Sequence, residues 1–230
     1  MTPPAPSTAV PDYLAETYWW AYVHPGAVRL FERQWLVNLI LWGNFARLRD
    51  AALAALGETL PGRTLQVACV YGDLTRRLSA RIAPQGALDV VDVLPVQLEN
   101  LARKLPAQAR VGLIHGDSTA LEAPSASYDR ALLFFLLHEQ PEAARRATLA
   151  EALRVVKPGG RVVIVDYHRP HPLNPLYWPM VGILATLEPF ALGLWRGEIR
   201  DRLPERARGW PLEKRTAFGG LYQRLTLTVA

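Results

Sequence analysis

Cysteine is nearly absent: Cys69 is the only one in 230 residues, which excludes a disulfide framework and fits a reducing compartment. Cys69 itself falls in an apolar run and reads as a small buried residue. Nothing points to export. The first residues, MTPPAPSTAVP, lack the basic flank and unbroken apolar run of a signal peptide, and their prolines suggest a disordered lead-in over 1–11. An uninterrupted long apolar stretch is lacking too. Residues 171–195 are mostly apolar, but Pro172, Pro175, Pro179, Glu188 and Pro189 break them. Crossing a membrane takes about 20 predominantly apolar residues, so cap helices are expected over 171–210 instead. Charge is not concentrated either. The formal net charge of +5 suits an anionic partner, whether nucleic acid, membrane surface or phosphorylated substrate, yet it forms no compact basic run.

What is present is a core. With 50% hydrophobic residues the chain can build one sizeable domain, organised around residues 64–80, TLQVACVYGDLTRRLSA. Leu65, Val67 and Cys69 suit a strand covered on both faces, Gly72 a tight turn, and Leu74 and Leu78 a helix. A strand entering a helix through glycine can cradle a ligand, because the backbone comes close and free amides face anionic groups; the plain alternative is a turn. Later segments alternate in the same way. Strands are expected at 87–93, 110–114, 128–137 and 161–166, and helices at 96–105 and 142–155. The order predicts a mostly parallel sheet with helices on both faces and ligands at the carboxyl ends of the strands. Upstream, 12–60 reads as an N-terminal helical cap: an aromatic-rich segment, an amphipathic helix over 27–42, and a helix over 45–56 stopped by Gly57. The amphipathic helix either caps the sheet or faces a membrane as a lid. Downstream, 217–229 alternates like a closing strand, within a last segment of 211–230.

With this order in place, the motifs resemble class I S-adenosylmethionine-dependent methyltransferases. LRVVKPGGRVVIVDY and GDSTALEAPSASYDRALLFFLLHEQP are similar to segments of quinone C-methyltransferases, and 61–170 would be the S-adenosylmethionine-binding core. The Asn-Pro-Pro-Tyr or Asp-Pro-Pro-Tyr motif of nucleic-acid methyltransferases is missing. By the resemblance Asp92 holds the ribose hydroxyls, Leu94 flanks the adenine, and Asp117 and Ser118 lie near the adenine amine. The first motif departs from the family. An acidic residue and three alternating glycines are replaced by Gln66, Ala68, Val70 and Gly72. Val70 is β-branched, tolerates positive φ badly, and stands where the cofactor's methionine tail usually lies.

That departure is shared with a narrower group. VACVYGDLT, YWWAYVHP, RQWLVNLILWGN, VVDVLPVQL, VIVDYHRP and FGGLYQ resemble the rhodoquinone-biosynthesis enzymes of bacteria and some eukaryotes. The resemblance implies an enzyme that uses S-adenosylmethionine as amino donor, with manganese, to replace a ring methoxy group of ubiquinone. It also implies peripheral attachment to the inner face of the cytoplasmic membrane. His138, Glu139, Asp166 and His168 end the fourth and fifth strands, so they are expected to converge as ligands for Mn2+, with His138, Asp166 and Tyr71 catalytic. Each histidine alone could equally be structural. Tyr71, Asp73 and Tyr167 could contact the relocated tail or the quinone, or simply pack. Two rivals remain: a conventional quinone methyltransferase and a non-catalytic membrane-associated binding module.

Overall fold

A computed structural model describes residues 10–17 and 32–230. Most of the lead-in, the aromatic run 18–22 and the first part of the helix expected over 27–42 lie outside the described residues. The described chain opens with α1 (Asp12–Thr17), α2 (Gln34–Ile40) and α3 (Phe45–Leu56). Strand β1 (Arg63–Val67) then leads into α4 (Leu74–Ser79), β2 (Ala87–Asp92), α5 (Pro95–Lys104), β3 (Val111–His115) and β4 (Tyr128–Phe134). A 3-10 turn (Leu137–Glu139) connects to α6 (Glu142–Val155) and β5 (Val156–Tyr167). The last elements are α7 (Tyr177–Leu187), α8 (Ala191–Leu194), α9 (Ile199–Arg202), β6 (Leu212–Ala217) and β7 (Tyr222–Thr228).

Among the described residues the strands make one seven-stranded sheet in the order β3-β2-β1-β4-β5-β7-β6. The pairs from β3 through β5 are parallel, and β7 runs antiparallel to both β5 and β6. The period of two explains why the central strands read as continuous apolar runs. Leu132, Phe134, Val163 and Val165 face one layer, with Phe45, Leu53, Leu74 and Leu78 of α3 and α4. Ala131, Leu133, Val162 and Ile164 face the other, with Leu149 and Leu153 of α6. Each leucine so buried contributes roughly 2 kcal/mol.

Two local expectations change. Lys157-Pro158-Gly159-Gly160 interrupts β5 rather than preceding it: Val156 already pairs with Tyr128, and pairing resumes at Arg161 with Arg130. Gly159 has φ +78°, and a Cβ on Gly160 would lie 2.6 Å from Val156 Cγ1, so glycine is required there. The C-terminal segment is a hairpin, not a single strand. Its first strand, LEKRTA, is an edge strand that keeps its charges in water, which is why it reads as a basic run.

Candidate functional site

The carboxyl ends of β1, β2, β4 and β5 open into a cavity of about 660 Å3, closed by Tyr13 and Leu14 of α1, by α2, and by α7. Its wall is mostly apolar, with polar groups at two ends.

The first end is built by the loop after β1 and the ends of β2 and β3. Asp92 is buried, with Oδ2 accepting from the Cys69 amide at 2.7 Å and Oδ1 from the Leu94 amide at 2.8 Å. Burial raises its pKa above the usual carboxylate range, and those two amides pull it back. Asp117 accepts from the Thr119 amide at 2.8 Å and lines the cavity beside Leu94, as the sequence places them. Ser118 also reaches the wall, but its hydroxyl is engaged by Thr148 and Gln140. Burial, then Asp92, pushes the Cys69 thiol up, which keeps it protonated and unreactive.

The loop itself differs from expectation. Left-handed strain falls on Ala68, with φ +70°, and Val70 is not among the positive-φ residues. The Ala68 amide bonds the Val91 carbonyl at 2.8 Å, and buried Gln66 donates to the Ala68 carbonyl at 2.9 Å while accepting from the Thr75 hydroxyl at 3.0 Å. Gln66 therefore braces the loop from within. Gly72 has the expected left-handed φ of +83°, but its amide donates to Glu32 at 3.1 Å and the residue does not line the cavity. Glu32 also takes hydrogen bonds from Asn100 at 2.7 Å and Lys104 at 2.8 Å, a clip that sequence reading missed because its members are 68 and 72 positions apart. Asp73 lies outside the cavity wall, paired with Arg49 and Arg77 at 2.6 Å each. Burial raises its pKa and those arginines more than reverse the shift, which ties Asp73 to α3 and α4. Tyr71 does line the cavity, and its hydroxyl accepts from Gln97 at 2.8 Å.

The second end is built around His138. Phe135 leaves β4 with φ +53° and turns the chain into the 3-10 segment, which places His138, Glu139 and Gln140 along the wall. Strain at such a corner costs on the order of 1 kcal/mol and is held by its surroundings. Asp166 is fully buried. Its oxygens accept four N–H groups: the Leu137 amide at 2.8 Å, the His138 amide at 3.3 Å, His138 Nδ1 at 3.0 Å and the Tyr167 amide at 2.7 Å. The imidazole edge also packs against Phe135 and Tyr167. With Nδ1 fixed, Nε2 faces the cavity, 3.8 Å from Glu139 and 4.0 Å from Glu188. Burial lowers the His138 pKa, but Asp166, Glu188 and Glu139 outweigh it and raise it to about 9. Arg145, itself 1% exposed, donates to the Leu137 carbonyl at 2.6 Å and to the Phe190 carbonyl, so it braces this turn against α8.

The four expected metal ligands do not converge. His168 turns away, its Nδ1 bonded to the Gly220 carbonyl at 2.6 Å and its Nε2 3.1 Å from Lys214 Nζ. Asp166 is committed to N–H donors. Among the described residues no group of three His, Cys, Asp or Glu side chains is arranged to hold a metal ion. Glu188 was missed as a site residue; its only signal was a lone acid inside an apolar stretch.

Comparison with known proteins follows this geometry. Residues 64–160 match the methyltransferase domain family model. A demethylmenaquinone methyltransferase of Staphylococcus aureus is 30% identical over 135 residues, covering 59% of this chain and 55% of the relative, so the chain spans about half the length of the curated relatives it matches. The N-methyltransferase NodS from Bradyrhizobium japonicum WM9, in complex with S-adenosyl-L-homocysteine, superposes with TM-score 0.55 at 10% identity, covering 80% of this chain and 86% of NodS. The [4+2]-cyclase SpnF superposes with TM-score 0.54 at 19% identity and 79% coverage of both chains. A cyclase beside methyltransferases is a reminder that fold alone does not settle the reaction. The sheet order, its antiparallel β7 and the flanking helices are those of the class I methyltransferase fold, and this chain has that fold.

Proposed function

We propose that this chain binds S-adenosylmethionine and a polyprenyl quinone together, and replaces a ring methoxy group of ubiquinone with the cofactor's amino group. The observation that carries the reading is the rebuilt loop after β1, which sits beside an apolar cavity holding an oriented His138. Gln66 is consumed inside the loop, Ala68 fills the first glycine position, and Val70 lines the wall. The usual seat of the methionine tail is thereby altered, while Asp92, Leu94 and Asp117 keep the end that suits adenosine.

When bound, the cofactor would supply the amine nitrogen: the ring carbon–oxygen bond breaks and methanol leaves, and the cofactor's own nitrogen–Cα bond then breaks by hydrolysis with the quinone ring taking the electron pair, so that the ring keeps the amino group as a hydroquinone and the rest of the cofactor leaves as a 2-oxo acid. The protein's own part is positioning and proton handling. His138, charged at neutral pH and locked by Asp166, presents Nε2–H to a ring oxygen or to the departing methoxy oxygen. Phe135 and Tyr167 pack on its ring and exclude water there. The manganese implied by the resemblance does not fit the side chains expected to hold it. In this reading 61–170 and 211–230 hold the cofactor, while 12–60 and 171–210 cover the quinone. Among the described residues no helix is long and apolar enough to cross a membrane. Exposed Leu39, Ile40, Trp42, Ile183 and Leu187 all line the cavity, and they suit a mouth resting on a lipid surface.

The similarity to a demethylmenaquinone methyltransferase favours a second reading, ordinary methyl transfer to a quinone ring. Methanol separates the two. Amino substitution of a short-tailed ubiquinone releases it stoichiometrically, with or without added manganese to be compared, whereas methyl transfer releases none. Turnover of the quinone without methanol would reject the amino-transfer reading.

A further inference from the structure

Resting on the reading of a quinone as second substrate, we infer that Tyr167 binds the quinone ring directly, its hydroxyl donating a hydrogen bond to a ring carbonyl oxygen. Tyr167 is the last residue of β5 and stands at the carboxyl end of the sheet, where it lines the cavity. Its backbone is fixed on both sides: the amide donates to Asp166 at 2.7 Å, and the carbonyl accepts from Gln223 at 2.9 Å. Its ring is clamped as well. Between ring centroids, Phe135 lies 5.3 Å away, Tyr222 5.7 Å and His138 4.9 Å. A side chain held in this way aims its hydroxyl at one place, so little ordering is left for a ligand to impose.

The hydroxyl is the part that packing does not explain. Tyr167 is 5% exposed, yet its hydroxyl forms no hydrogen bond with any described residue, the bonds of Tyr167 being those of its amide and carbonyl. The neighbouring Tyr222 hydroxyl is unpaired too, but it is sealed off, whereas that of Tyr167 is not. Phenylalanine would make the same ring contacts without leaving a polar atom unpaired in an apolar cluster with Met180, Leu184 and Leu221. A hydroxyl kept at such a place is explained by a ligand that pairs with it. Burial, with Tyr222, Glu188, Asp166 and Glu139 nearby, holds the phenol pKa well above its usual value, so the group keeps its proton and can donate. Those carboxylates also disfavour an anionic ligand group there, which a neutral carbonyl oxygen is not. A quinone ring has acceptors and no donor of its own, and its flat apolar faces suit the aromatic wall of Phe135 and Tyr167. With one carbonyl held by Tyr167, the ring is also fixed relative to His138, whose imidazole packs on the Tyr167 ring.

Tyr167→Phe removes the hydroxyl and keeps the ring. Calorimetry with a short-tailed ubiquinone should find binding about tenfold weaker in this variant, while S-adenosylhomocysteine binds as it does to the parent. Because the hydroxyl has no protein partner, the urea midpoint should stay at or above the parent's. Infrared spectra of the bound quinone supply a signature that packing alone would not move. One carbonyl band, shifted to lower wavenumber in the parent, should lose that shift in the variant. Unchanged quinone affinity with an unchanged band, or a loss confined to S-adenosylhomocysteine, overturns the assignment of Tyr167 and leaves the quinone reading standing. A lowered urea midpoint would make the hydroxyl a structural bond and overturn the assignment as well. A parent protein that binds no quinone overturns the substrate reading itself, and this inference with it.

Discussion

Asp166 sets the charge of His138, and its replacement has consequences of two kinds. Because the folded pKa of His138 is about 9, above the roughly 6.5 of an unfolded chain, its protonation stabilises the fold fully below pH 6.5, and this contribution is lost as pH rises through about 9. Thermal melts across this range should show a decline that is absent in His138→Gln. Asp166→Asn replaces an oxygen facing N–H donors with an amide NH2, so it should cost about 3 kcal/mol of stability. A denaturation midpoint equal to the parent's would contradict the four-donor geometry. The glycine positions give a finer comparison. Ala68→Gly relieves a left-handed φ at the expense of chain entropy and should change stability by less than about 1 kcal/mol. Gly72→Ala keeps a left-handed φ and puts a Cβ 3.0 Å from the Phe45 ring, so it should cost more, about 1 to 2 kcal/mol. Urea titration of both variants checks the order.

At the scale of elements, most of the sheet was readable because buried strands and amphipathic helices change period sharply. Helix α3 and helix α6 begin and end where the pattern puts them, and Asp92 and Asp117 fall at strand ends as expected. Side-chain direction was not readable. Period two puts Asp166 and His168 on one face, but β5 ends at Tyr167, so His168 leaves the strand and joins the hairpin turn. The clip of Glu32 with Lys104 and the brace of Arg145 depend on distant partners that no local pattern marks. Arg145→Met should destabilise the protein by about 3 kcal/mol, since the buried Leu137 carbonyl and the part-buried Phe190 carbonyl lose a donor, and removing this cation should raise the His138 pKa only slightly. NMR titration of His138 in that variant separates bracing from charge. Helices α2 and α7, which carry the exposed apolar rim of the cavity, also expose Trp35 at 60% and Trp178 at 72% outside its lining. The double variant Trp35→Ala, Trp178→Ala should bind anionic vesicles about tenfold more weakly in sedimentation, whereas unchanged binding would remove the rim from lipid contact.

The whole molecule joins an ordinary frame to an altered site. The sheet order is that of the class I methyltransferase fold, and in the function proposed above the departures gather where the methionine tail and the second substrate would meet. Such a distribution is what a change of reaction on a retained scaffold requires, since the fold positions ligands and the site decides which atom reacts. The most direct measurement uses S-adenosylmethionine carrying heavy nitrogen in its amine and deuterium in its methyl group, incubated with the purified chain and a short-tailed ubiquinone. Mass spectrometry of the quinone product should find the heavy nitrogen on the ring, one methoxy group gone and no deuterium. A product that carries the deuterated methyl group and no heavy nitrogen would contradict the account.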